Sequence, residues 1–119
     1  MEFRGNQAIY LQIADSICEK ILSKRWAAGD KIPSVREMAV NTEVNPNTVM
    51  RTFSLLQDKG IIYNQRGIGY FVAEDAYQNT RELMKAEFIQ HELPHLFRMM
   101  DLLVMDFEDL RKLYVQQKS

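Results

Sequence analysis

The chain has 119 residues, enough for one small domain or a small domain with an appendage. Its 46% hydrophobic and 26% charged residues are ordinary for a soluble globular protein, and no apolar run approaches the roughly 20 residues that span a membrane. Residues 1–7 lack the apolar core and cleavage site of a secretion signal, and the single cysteine, Cys18, cannot form an internal disulfide. Both features suit the reducing cytoplasm. The formal net charge of −1 hides an asymmetry, with nine Lys/Arg against seven Asp/Glu in residues 1–72 and six against nine in residues 73–119.

Ile9, Ile13, Ile17 and Ile21 recur every four residues, with Ala14, Cys18 and Leu22 in support, and predict a helix over about 8–25. Gln12, Asp15, Ser16, Glu19 and Lys20 fill its other side. Residues 27–33 end it with turn chemistry and have room for a short strand. Ser34 offers an N-cap hydroxyl and Glu37, three residues on, completes a capping box. A short second helix follows with Val35, Met38 and Ala39 on its buried side, and Asn41-Thr42-Glu43 is expected to turn the chain. Asn45 caps a third helix whose first position is Pro46, where a missing N–H costs nothing. That helix should reach about Lys59 and stop at Gly60, with Val49, Phe53 and Leu56 as its inward stripe.

Two helices joined this way form a helix-turn-helix, the arrangement that places a helix N-terminus in the DNA major groove. Two strand-like runs, Ile61-Ile62-Tyr63 and Tyr70-Phe71-Val72, flank the glycine-containing connection 64–69 and predict a β-hairpin. Composition turns acidic at Ala73-Glu74-Asp75. A helix is expected from about 76 to 90, with Tyr77, Met84 and Phe88 on one side. Pro94 then opens a second, carrying Leu96, Phe97, Met100 and Leu103. Asp106 caps a last helix bearing Phe107, Leu110, Leu113 and Tyr114. The expected fold class is mainly α with a small β-wing. A winged helix-turn-helix DNA-binding domain (1–73) precedes a short helical dimerisation region (74–119).

Three spaced runs carry a family resemblance: residues 31–39 (Lys-Ile-Pro-Ser-Val-Arg-Glu-Met-Ala), residues 44–49 (Val-Asn-Pro-Asn-Thr-Val), and Gly60 with residues 66–72 (Arg-Gly-Ile-Gly-Tyr-Phe-Val). Together they resemble the GntR family of bacterial transcription regulators, and the Asn45-to-Val49 form with its short tail is similar to the YtrA subfamily. The resemblance implies a homodimeric repressor on a palindromic operator, often controlling its own operon and neighbouring transporter genes, with the tail as dimerisation element. Larger relatives bind metabolites in big C-terminal domains; this tail is too small for such a pocket, which speaks against a small-molecule effector. Two departures stand out. Many relatives carry arginine in place of Pro46, and often arginine or glutamine in place of Met50; those arginines commonly read guanine, so Asn47, able to read adenine bidentately, and Thr48 remain at the helix tip.

The candidate DNA-binding residues follow. Arg36 can reach a phosphate or base edge from the start of the second helix. Ser34 can donate to phosphate, although capping alone would explain it. Asn47 and Thr48 lie on the exposed first turn of the third helix, where the dipole favours phosphate. Asn45 is a cap that could also read DNA. Arg51, three residues after Thr48, shares the exposed face and can grip backbone. Arg66, Gly67 and Gly69 form the wing tip, where both glycines permit positive φ and an arginine beside bare backbone can enter the minor groove.

His91-Glu92-Leu93-Pro94-His95 matches the H-E-x-x-H pattern of zinc proteases, but Pro94 should end the helix that both histidines need. Cys18 reads as a small core residue. The Met99-Met100 pair and Met105 suggest adaptable apolar packing, and an apolar face on so small a tail calls for a second copy to cover it. No nucleophile–base pair or metal cluster is evident, so neither an enzyme nor a cofactor is expected. The rival to DNA binding is a winged-helix protein–protein interaction module; the polar tip of the third helix and the arginine in the wing favour DNA.

Overall fold

The structure, a computed structural model, describes residues 7–118. Helix α1 (Ile9–Leu22) buries Ile13, Ala14, Ile17, Cys18 and Ile21, the stripe set by its four-residue repeat. Helix α2 (Val35–Thr42) starts at the capping box: Glu37 N–H donates to Ser34 Oγ at 3.1 Å and Ser34 N–H to Glu37 Oε1 at 3.0 Å. Helix α3 (Pro46–Asp58) starts where Asn45 Oδ1 accepts from Asn47 N–H at 2.8 Å, and ends against Gly60. Val49, Phe53 and Leu56 are fully buried, and α1 and α2 both pack on this face of α3. Thr52, also buried, ties α3 to α1 by donating from Oγ1 to the Tyr10 carbonyl at 2.7 Å.

Strands β1 (Ile62–Gln65) and β2 (Gly69–Val72) pair antiparallel, Ile62 opposite Val72 and Gln65 opposite Gly69. The short strand expected within 27–33 is present as a single bridge between Lys31 and Phe71. Hydrogen bonds from Gly29 N–H to the Val72 carbonyl (2.9 Å) and Ile32 N–H to the Tyr70 carbonyl (3.0 Å) flank it. Pro33, with no N–H, stops the pairing there. The helix-turn-helix turn begins two residues later than expected, at Glu43 instead of Asn41. Thr42 stays in α2 by bonding the Met38 carbonyl at 2.6 Å, and Glu43, left-handed at φ 56°, begins the turn.

The described residues divide into two compact units, the chain passing from one to the other between Met84 and Lys85 of helix α4 (Ala76–Glu87). In the first unit, Ala76 and Thr80 are buried, Leu83 and Met84 pack on the core, and Asn79 Nδ2 donates to the Gly60 carbonyl at 2.9 Å. The acidic step at 73–75 therefore ends the wing, while the first turns of α4 still belong to the winged-helix core.

Pro94 stands in the first turn of a helix, as expected, but no break separates that helix from the one before it. A π-helical turn (Phe88–Glu92) carries α4 directly into α5 (Leu93–Leu103), with Leu93 N–H reaching back to the Phe88 carbonyl. Widening the helix just before Pro94 accommodates a ring that would collide with a regular turn, so the proline is absorbed. Helix α6 (Phe107–Lys118) opens with a reciprocal cap, Asp109 N–H to Asp106 Oδ1 at 2.8 Å and Asp106 N–H to Asp109 Oδ2 at 3.1 Å. In this second unit Phe97 meets Phe107 edge-on at 6.4 Å, while Phe88, Ile89, Leu102, Leu103, Val104 and Leu113 remain exposed.

Candidate nucleic-acid interface

With Val49, Thr52, Phe53 and Leu56 turned into the core, α3 must present Asn47, Met50, Arg51 and Ser54 outward, and all four are exposed. Their i, i+3, i+4 spacing makes one continuous stripe. Thr48 is half-buried at its edge. At the α3 N-terminus Pro46 has no amide proton, Asn47 N–H is held by Asn45 Oδ1, and Thr48 N–H bonds the Asn45 carbonyl at 2.9 Å. The helix end thus keeps its dipole but has these first amides occupied. Side chains must supply the donors.

Two tyrosines flank the stripe. Tyr10 of α1 lies under the Arg51 guanidinium, 3.9 Å from the ring centroid. Tyr70 of β2 packs its ring edge-on against buried Phe53 (4.8 Å between centroids) and brings its hydroxyl 4.0 Å from Met50 Sδ. Tyr70 is thereby the link that sets the wing beside the exposed side of α3.

Arg36 is exposed in the first turn of α2 and makes no hydrogen bond or ion pair among the described residues. Ser34 and Asn45 are engaged as caps. The Ser34 amide, and then its hydroxyl, hold the Glu37 carboxyl below its usual range, which keeps the negative end of the cap ionised beside Arg36. In the wing, Arg66 and Gly67 are exposed, and Gly67 takes φ 79° with open space around it. Gly69 is constrained: at φ 142° a Cβ would come within 3.0 Å of Lys31 Cε. Lys31 is therefore a fourth cation on this side that the helix-and-wing pattern did not single out. Ser54 was missed as well, although counting three on from Arg51 would have found it.

The continuity of α4 into α5 removes the helix-break argument against a zinc pair, but the surroundings of the histidines offer no site. His91 Nε2 lies 3.4 Å from Glu87 Oε2, both well exposed, and among the described residues no group of three or more potential metal ligands converges. Among the described residues, too, no helix is long and apolar enough to cross a membrane.

The family model for bacterial regulatory proteins of the gntR family matches residues 9–72, from the start of α1 to the end of β2. The chain belongs to the GntR family. It is 51% identical to the HTH-type transcriptional regulator YhcF of Bacillus subtilis over 63% of this chain and 62% of that one. It is 38% identical to the HTH-type transcriptional repressor YtrA of the same organism over 78% of this chain and 71% of that one. The chain thus spans about three fifths of YhcF and seven tenths of YtrA. These named relatives are regulators, not enzymes, and the GntR chain described here is YtrA-like. A crystal structure of a GntR-family regulator from Bacteroides thetaiotaomicron superposes with a TM-score of 0.77 at 43% identity, covering 94% of this chain and all of that one. The AraR DNA-binding domain in complex with operator ORR3 matches 61% of this chain and 95% of its own, with a TM-score of 0.52 at 25% identity.

Proposed function

We propose that this GntR chain is a cytoplasmic, sequence-specific DNA-binding regulator that acts as a homodimer on a palindromic operator, repressing its own operon or neighbouring transporter genes. The observation that carries the reading is the exposed stripe of α3, Asn47-Met50-Arg51-Ser54. It stands beside a wing whose Arg66 is free of partners among the described residues. Such a stripe, polar and cationic around one thioether, suits a groove lined with base edges and phosphates better than it suits an apolar protein surface. Asn47 and Thr48 would meet bases, while Arg36 and Arg51 would meet backbone. Arg66 with Gly67 and Gly69 would enter the minor groove. That YtrA is named a repressor and that AraR is seen on an operator both support this assignment.

Residues 1–73 would be the DNA-binding domain and 74–119 the dimerisation region. The exposed apolar side chains of α5 and α6 support the dimer, because a monomer would leave Leu102, Leu103, Val104 and Phe107 in water at 61–89% exposure. A gel shift with the gene's own upstream region tests the function. Salt-sensitive binding that Asn47→Ala and Arg66→Ala each weaken at least ten-fold, with folding intact by circular dichroism, is expected. Absence of binding to any duplex, with capture of a protein partner through the same face, would establish the interaction-module reading instead.

A further inference from the structure

Resting on the DNA-binding reading, we propose that Met50 is a specificity-determining residue that reads thymine through its 5-methyl group. Met50 sits in the middle of the exposed stripe, 43% exposed, three residues after Asn47 and one before Arg51. A thioether has no N–H or O–H to offer a base edge, so it cannot read guanine or cytosine by donating or accepting strongly. The one apolar feature on the floor of the major groove is the thymine methyl, and a soft, polarizable side chain fits it.

Met50 is also not a loose side chain. The Tyr70 hydroxyl sits 4.0 Å from its sulfur, and the Tyr70 ring is fixed in turn by its edge contact with Phe53, which is fully buried. The wing strand β2 thus braces the residue from the side, so that less rotamer freedom is lost when a base is met. Asn47, one turn earlier on the same stripe, has the paired donor and acceptor that match the adenine edge. Together they specify a half-site in which neighbouring A·T pairs face the start of α3.

The test uses the full chain and a random duplex library. Selected duplexes are resynthesised with each thymine replaced in turn by deoxyuracil, which removes the methyl and nothing else, and affinities are measured by fluorescence anisotropy. One thymine per half-site should be methyl-sensitive, uracil there weakening binding about four-fold, the worth of one buried methyl-sized group. Met50→Ala should bind the thymine and uracil duplexes equally, and Met50→Leu should keep the discrimination. Enrichment of duplexes with no methyl-sensitive thymine, or sensitivity that persists undiminished in Met50→Ala, overturns the inference alone. Enrichment of no duplex overturns it together with the DNA-binding reading.

Discussion

At the scale of single residues, the contact between Arg51 and Tyr10 decides how ready the interface is before DNA arrives. An exposed arginine samples many rotamers, and stacking at 3.9 Å on a ring anchored through its own carbonyl to Thr52 narrows that choice. Such stacking is worth about 0.5–1 kcal/mol at an exposed site. Tyr10→Leu should therefore weaken operator binding about two- to five-fold, whereas Tyr10→Phe, which keeps the ring, should not. In an Arg51→Ala background the Tyr10→Leu change should have no further effect, and that background alone should lower the salt slope by about one phosphate. Tighter binding by Tyr10→Leu would mean that the ring sequesters the arginine. Cys18 is a different case. Burial, with a smaller contribution from Asp15, pushes its thiol up to about 12, so almost no thiolate exists near neutrality. Thiol reagents at pH 8 should label the native protein very slowly and the urea-unfolded protein at the rate of a free cysteine.

At the scale of elements, helices α2, α3 and α6 begin where short polar side chains satisfy first-turn amides, and their energetics can be tested at the same places. Ser34→Ala removes one half of the α2 capping box and should cost about 1 kcal/mol in urea unfolding. The other half is titratable. The Glu37 carboxyl is held below 4.5, so its contribution is present above that pH and is lost as pH falls through the lowered value. Glu37→Gln, which keeps a neutral acceptor for the Ser34 amide but no charge, should flatten that part of the acid limb by lowering the neutral plateau toward the level of the protonated glutamate. These caps, with Asn45-Pro46, Gly60 and Asp106, were readable because each depends on residues within four positions of one another. The wing was readable because its two strand-like runs are joined by a short glycine-containing connection, so that paired residues stand no more than ten positions apart. Pro94 does stand at a helix start, but whether a break precedes it depends on whether the preceding turn can widen, and the widened Phe88–Glu92 turn has no short-range signature. Tyr10 and Tyr70 escaped notice because the residues they brace are 41 and 20 positions away, and only packing brings them together. Asn79, which reaches the Gly60 carbonyl from α4, is hidden in the same way.

At the scale of the whole molecule, the proposed dimer must be reconciled with a tail that leaves much of its apolar surface in water, and Val104 is the sharpest point of that surface. It is 89% exposed and ends α5 at φ 57°. A left-handed conformation is unfavourable by about 1–2 kcal/mol for a residue with a β-carbon, and more so for a β-branched one, which is why glycine or asparagine usually stands at such a helix end. A strained, exposed valine gains nothing within its own unit, whereas in a dimer its isopropyl group could be buried. Val104→Asn separates the two effects, since asparagine tolerates the backbone and removes the apolar group. The variant should raise the melting temperature of dilute protein, where monomer dominates, and weaken self-association at least ten-fold in sedimentation equilibrium. Operator affinity at nanomolar protein should fall in parallel, because a half-site is then bound without its tethered neighbour. If self-association is unchanged, Val104 lies outside the interface, and the remaining apolar side chains of α5 and α6 must carry the dimer without it.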